Sequence, residues 1–136
     1  MLQYTQVPFD GIYLRVPIIN GVPFNDWSAN TIDDYPSYCG AGSGIGDLII
    51  PETLLRLRIS PACHIHDISW ELAGPTEEEL LEANRTFLTN ILAIVEPRSN
   101  WFIEFPRQQL AMVYYSTVNS KKNDIFWDIK REQGLL

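Results

Sequence analysis

The stretch Ser60-Pro61-Ala62-Cys63-His64-Ile65-His66-Asp67-Ile68-Ser69-Trp70 decides how this chain is read, because it joins a helix start to a cluster of reactive side chains. Serine can cap a helix, and proline is tolerated in the first turn, where its missing amide would lack a partner anyway. Gly74-Pro75 then stops the helix near Leu72. On such a helix Cys63 and His66 are three apart, and Cys63 and Asp67, like His66 and Trp70, are four apart. Each pair can therefore meet on the helix surface. His66 and Asp67 are adjacent and point roughly 100° apart. One can face a water as general base while the other faces a metal.

The next segment supplies a partner. Thr76 with Glu79 three positions later forms a capping box, and Glu77, Glu78 and Glu79 crowd the first turn, where the helix dipole favours them. This predicts a second helix from about Glu77 to Val95, stopped by Pro97, and so short a link makes the two helices antiparallel neighbours. Leu80, Asn84, Phe87, Leu88, Ile91 and Val95 form its core stripe, interrupted by Asn84. A buried amide left unpaired costs about 1–3 kcal/mol, so Asn84 should find a partner, and the helix carrying His66 is the nearest source. An Asn84 oxygen accepting from one imidazole nitrogen leaves the other to act as base.

Elsewhere the pattern is mostly helical. A third helix is predicted from Arg107 to about Asn119, with Leu110, Val113, Tyr114 and Val118 on one face, followed by a short helix around Ile125 to Glu132. Near the N-terminus, Asn20-Gly21 between two apolar runs predicts a hairpin between Ile12 and Phe24. Pro17 and Pro23 remove ladder donors, so its strands should lie at an edge or pair only briefly. Leu55-Arg56-Leu57-Arg58-Ile59 alternates with period two and reads as a short strand. Thr31 through Tyr38 reads as a loop leading into the glycines at 40, 42 and 44. The fold class is mainly α: an antiparallel helix pair, a glycine-rich loop, a small N-terminal β-hairpin and a third C-terminal helix. A single domain spans 1–136, with hairpin and arm over 1–37 and loop and helices over 38–136.

Composition narrows the function classes. A hydrophobic fraction of 46% and a charged fraction of 20% over 136 residues fit one folded domain with its own core. The net charge of −7 opposes nucleic-acid binding. No run of residues is long and apolar enough for a membrane span, and Met1 to Gln6 lack the features of a signal peptide, so synthesis in a cytoplasm is the expectation. Two cysteines, Cys39 and Cys63, are compatible with either buried thiols or one bridge.

Glycines at 40, 42 and 44 allow backbone conformations that let carbonyl oxygens converge. With Asp67 they would hold a hard cation, calcium above all, since it prefers oxygen ligands. A dinucleotide-binding reading of the same glycines fails, because no good strand precedes Gly40 and no long helix follows.

Tyr38-Cys39-Gly40-Ala41-Gly42 and Cys63-His64-Ile65-His66-Asp67 together resemble the two-part signature of the secreted phospholipase A2 superfamily, a calcium loop joined to a Cys-x-x-His-Asp helix. A looser echo of the short bacterial members continues through Ala83-Asn84 to Phe87 and Ala111 to Val118. The resemblance implies that His66 activates water against the sn-2 ester of a glycerophospholipid. It implies a calcium ion held by Asp67 and the carbonyls of Tyr38, Gly40 and Gly42, and a bridge between Cys39 and Cys63. Two positions depart from the family pattern: Asn84 stands where an aspartate orients the imidazole, and Trp70 where a tyrosine supplies a phenol. An amide orients but cannot neutralise an imidazolium, which implies weakened activity.

The rival reading is a phospholipase-like fold kept as a structural or interaction component of a phage or virus particle, among other protein subunits. A third keeps calcium binding at Asp67 without catalysis. His64 reads as a surface or loop-contact residue rather than a ligand, and Phe24, Trp27, Trp101 and Phe102 as core aromatics before a lipid-facing collar.

Overall fold

The computed structural model describes residues 1–27, 32, 53–120 and 123–136, and within them the chain is mainly α with a small antiparallel sheet at its N-terminus. Tyr4–Phe9 (β1) and Ile12–Ile19 (β2) pair antiparallel, with Tyr4 opposite Pro17 and Phe9 opposite Ile12. Asp10-Gly11 turns between them at φ values of 48° and 82°, the double positive turn whose twist matches the strands. Asn20-Gly21 repeats it at 52° and 80° and leads into Val22–Pro23 (β3). The predicted hairpin is therefore half of a three-stranded sheet in the order β1-β2-β3.

Pro17 does not confine β2 to an edge, contrary to the sequence expectation. It sits opposite Tyr4 at the end of the β1 ladder, and its carbonyl accepts from the Phe24 amide at 2.9 Å. The next amide, that of Ile18, still donates to the Gln3 carbonyl at 2.7 Å, so the missing donor does not break the contact with the N-terminal arm. Pro23 lies in a two-residue strand, in keeping with brief pairing.

A second, smaller hairpin joins Thr53–Leu54 (β4) to Leu57–Arg58 (β5), so the alternating run from Leu55 to Ile59 contributes only two strand residues. Leu55 and Arg56 form the turn at φ 51° and 72°. Arg107 holds this turn from below. Its guanidinium donates to the carbonyls of Leu54 (3.2 Å), Leu55 (2.9 Å) and Arg98 (3.0 Å) and to the Ser99 hydroxyl (2.9 Å).

Ser60–Leu72 forms α1, as the proline and the Gly74-Pro75 pair predict. Ser60 is not its cap: Ile59 occupies the N-cap position, and the Ser60 hydroxyl is buried without a hydrogen-bond partner among the described residues. Glu77–Val95 forms α2, where the Thr76 hydroxyl accepts from the Glu79 amide at 3.2 Å. The reciprocal arm of the box is absent. The Thr76 amide turns to the Gly74 carbonyl, and the Glu79 carboxylate accepts from the Leu2 amide at 2.8 Å instead, which ties the N-terminal arm to the start of α2.

Trp101–Ser120 forms α3, which begins well before the predicted Arg107. Asn100 explains the difference: its Oδ1 accepts from the amides of Phe102 (3.0 Å) and Ile103 (3.1 Å), capping a helix that runs through Pro106. Its inward face is Leu110, Ala111, Tyr114 and Val118, whereas Val113, expected among them, is 56% exposed. Asn123–Glu132 forms α4, the short helix expected around Ile125 to Glu132, starting two residues earlier. Buried Lys130 on α4 donates to the Glu71 carbonyl at 3.3 Å and to Gln133 Oε1 at 3.1 Å, anchoring α4 to the end of α1.

The core lies where the sheet, α1 and α2 meet, with Leu14, Trp70, Leu80, Phe87 and Ile91 almost fully buried. Asn90 docks the sheet onto α2 by accepting from the Arg15 amide at 2.7 Å and donating to its carbonyl at 2.9 Å, as a neighbouring strand would. Among the described residues, no helix is long and apolar enough to cross a membrane.

Candidate functional site

The middle of α1 packs on the first half of α2, and the contacts run in opposite chain order. His66 meets both Asn84 and Phe87, and Trp70, one turn further along α1, meets Asn84. His66 and Asn84 are both buried, at 3% and 0% exposure, so the predicted pair is brought together inside the protein. His66 Nε2 lies 2.8 Å from Asn84 Oδ1. The imidazole packs against two tilted rings, with centroids 4.6 Å from Trp70 and 4.7 Å from Phe87.

Asn84 is satisfied at both ends. Its Oδ1 also accepts from Trp70 Nε1 at 3.0 Å, and its Nδ2 donates to Asn119 Oδ1 at 3.2 Å. Four side chains from α1, α2 and α3 thus form one hydrogen-bonded string through an apolar seam. Such a string favours one arrangement strongly, because an unmet donor in that seam would be costly.

Burial sets the charge states. It holds the His66 imidazole down at about 4, against a smaller upward pull from its bond to Asn84, so the ring is neutral at pH 7. A neutral imidazole can accept a proton; an imidazolium cannot. Asp67, half-buried, moves the other way: burial, reinforced by the Glu71 carboxylate, pushes its carboxyl up to about 9. Among the described residues no cationic side chain pairs with it. A carboxylate held in that setting ionises readily only when a cation joins it, and oxygen is the donor that calcium prefers. Asp67 is the one described member of the predicted metal set, an oxygen donor with no cationic partner among the described residues.

The rest of that set, Tyr38, Gly40 and Gly42, lies outside the described residues, as do Cys39 and, apart from Ile32, the predicted loop from Thr31 to Tyr38. No group of three or more His, Cys, Asp or Glu side chains is poised for a metal among the described residues. A set of one carboxylate and three backbone carbonyls would not form such a group. Cys63 is buried.

His64 points away from this seam and packs its ring 5.3 Å from that of Phe24, as a contact residue for the N-terminal arm. Of the four aromatics weighed as a collar, Phe24 and Trp27 pack with the core, while Trp101 and Phe102 are 87% and 75% exposed. Asn119 was missed by the sequence reading. It falls at the end of the predicted third helix, where periodicity carries no information about which way a terminal side chain turns. The chain matches no protein-family model, no curated protein and no solved structure.

Proposed function

We propose that the protein is a phospholipase A2-like hydrolase that cleaves the sn-2 acyl ester of glycerophospholipids with calcium. The single observation that carries this reading is the His66–Asn84 contact at 2.8 Å, a neutral buried imidazole oriented by an amide on the facing helix. Asp67, next to His66 and without a cationic partner among the described residues, supports the calcium half. In this reading Asp67 and the carbonyls of Tyr38, Gly40 and Gly42 hold the ion, and a Cys39–Cys63 bridge ties loop to helix.

The chain's own part in the reaction is proton handling. His66 keeps its Nε2 proton on Asn84 and takes a proton from water at Nδ1, so that the water oxygen attacks the ester carbonyl. The same proton then passes to the departing alkoxide, and no serine or cysteine nucleophile is required. Bound calcium would supply a Lewis acid for the charge that develops on the ester oxygen. Asn84 offers the imidazolium no counter-charge, so turnover is slow, and Asn84→Asp should raise it.

The test is fatty-acid release from phosphatidylcholine mixed micelles with calcium, with chelator, and with His66→Ala. Calcium-dependent release lost in the variant supports hydrolysis; release equal to background in all three overturns it. The amide at 84 favours one second reading, a catalytically weakened phospholipase-like fold serving as a structural component of a phage or virus particle. That reading predicts background release together with stable association in a larger assembly.

A further inference from the structure

We propose that Trp70 is a positioning residue: its indole N–H fixes which end of the Asn84 side chain faces His66, and thereby places the imidazole proton on Nε2 and the lone pair on Nδ1.

The two ends of a carboxamide are not equivalent, since the oxygen only accepts and the nitrogen only donates. A neutral imidazole does not choose between them. With Oδ1 toward the ring the proton sits on Nε2; with the amide turned, Nδ2 donates to a bare Nε2 and the proton sits on Nδ1. Only the first arrangement leaves Nδ1 able to take a proton. The choice must come from a third group, and the indole nitrogen is one that donates and never accepts.

Trp70 Nε1 lies 3.0 Å from the same Asn84 atom that lies 2.8 Å from His66 Nε2. Turning the amide would oppose two N–H groups there, inside a seam where Trp70 and Asn84 are both 0% exposed and water cannot relieve the clash. The oxygen must therefore face both rings, and Nε2 must be the donor. Asn119 Oδ1 accepts from the other end of the amide at 3.2 Å, which agrees with this orientation.

The two departures from the family pattern then become one matched pair. A carboxylate at 84 would need no such device, because both of its oxygens accept. An amide does need it, and a phenol at 70 would not suffice, since a hydroxyl donates or accepts as required. The catalytic meaning of this arrangement rests on the hydrolase reading; the proton position does not.

Ring-nitrogen NMR of the isotope-labelled full chain at neutral pH tests it. The chain has two histidines, so His64→Asn assigns the signals. His66 should show a single Nε2–H tautomer in the wild-type protein. Trp70→Phe should add an Nδ1–H population, and Trp70→Tyr should do so too if the first variant fails to fold. Adding Asn84→Asp to either should restore a protonated Nε2. An Nδ1–H tautomer in the wild type overturns the proposal, as does a pure Nε2–H tautomer in a folded Trp70 variant. Absence of lipid release with the expected tautomers would sink only the hydrolase reading.

Discussion

The seam between α1 and α2 and the first two turns of α3 invert the usual rule in opposite senses. In the seam, an imidazole and an amide are buried at 3% and 0% exposure; on α3, Trp101, Phe102 and Phe105 stand 87%, 75% and 65% exposed. Side-chain polarity alone predicts neither. What separates them is whether a hydrogen-bond string or a packing partner is available, because a satisfied polar group costs little to bury and an apolar one gains nothing without a surface to cover.

The sharpest way to break the comparison is inside the seam. Phe87→Ala should cost about 4 kcal/mol, since it empties a fully buried ring site against the imidazole. Urea unfolding measures it. Asn84→Leu should cost about 3 kcal/mol although it makes the stripe uniformly apolar, because it strands the Trp70 indole N–H and the His66 ring without an acceptor. A variant as stable as the wild type would show that the string contributes nothing to the fold. Thr76→Ala, which deletes the one cap the sequence announces for α2, should cost about 1 kcal/mol.

The same seam sharpens the comparison through pH. His66 falls from 6.5 to about 4 on folding, so between those values the unfolded state holds the extra proton and stability falls on acidification. Asp67 rises from 3.8 to about 9, so the folded state holds the extra proton across that window and stability falls as pH rises through it. Below about pH 6.5 the two slopes oppose each other, and above it only the Asp67 loss remains. Asp67→Asn should abolish the alkaline loss and uncover the acid one, read as Tm at about pH 5, 7 and 8.5. On α3 the effects should be smallest: Trp101→Ser and Phe102→Ser should change stability by no more than about 0.5 kcal/mol, because little packing is lost.

Much of the helical frame was legible. The bounds of α1 and α2 follow from Pro61, Gly74-Pro75, the Thr76 cap and Pro97, all local signals with a local mechanism. So was the meeting of His66 with Asn84, because a polar break in an apolar stripe must be answered by the nearest helix. Less legible was the start of α3, where Pro106 reads as a first-turn residue although Asn100 already caps the helix. The β1 strand carried the same turn signal, Asp10-Gly11, as the hairpin that was recognised. Val113 was misplaced because a helix with few charges offers several faces of similar apolarity, and contact with the rest of the molecule chooses among them.

By itself, the sequence determined the helix pair and put one imidazole, one carboxylate and one amide within reach of a common seam, because capping, breaking and 3.6-residue periodicity act over a few residues. Only the tertiary structure decided that Trp70 and Asn119 close the string at either end, and that the aromatic start of α3 faces outward. Those outcomes depend on which side chains from distant segments arrive at the same place. No local signal carries that information.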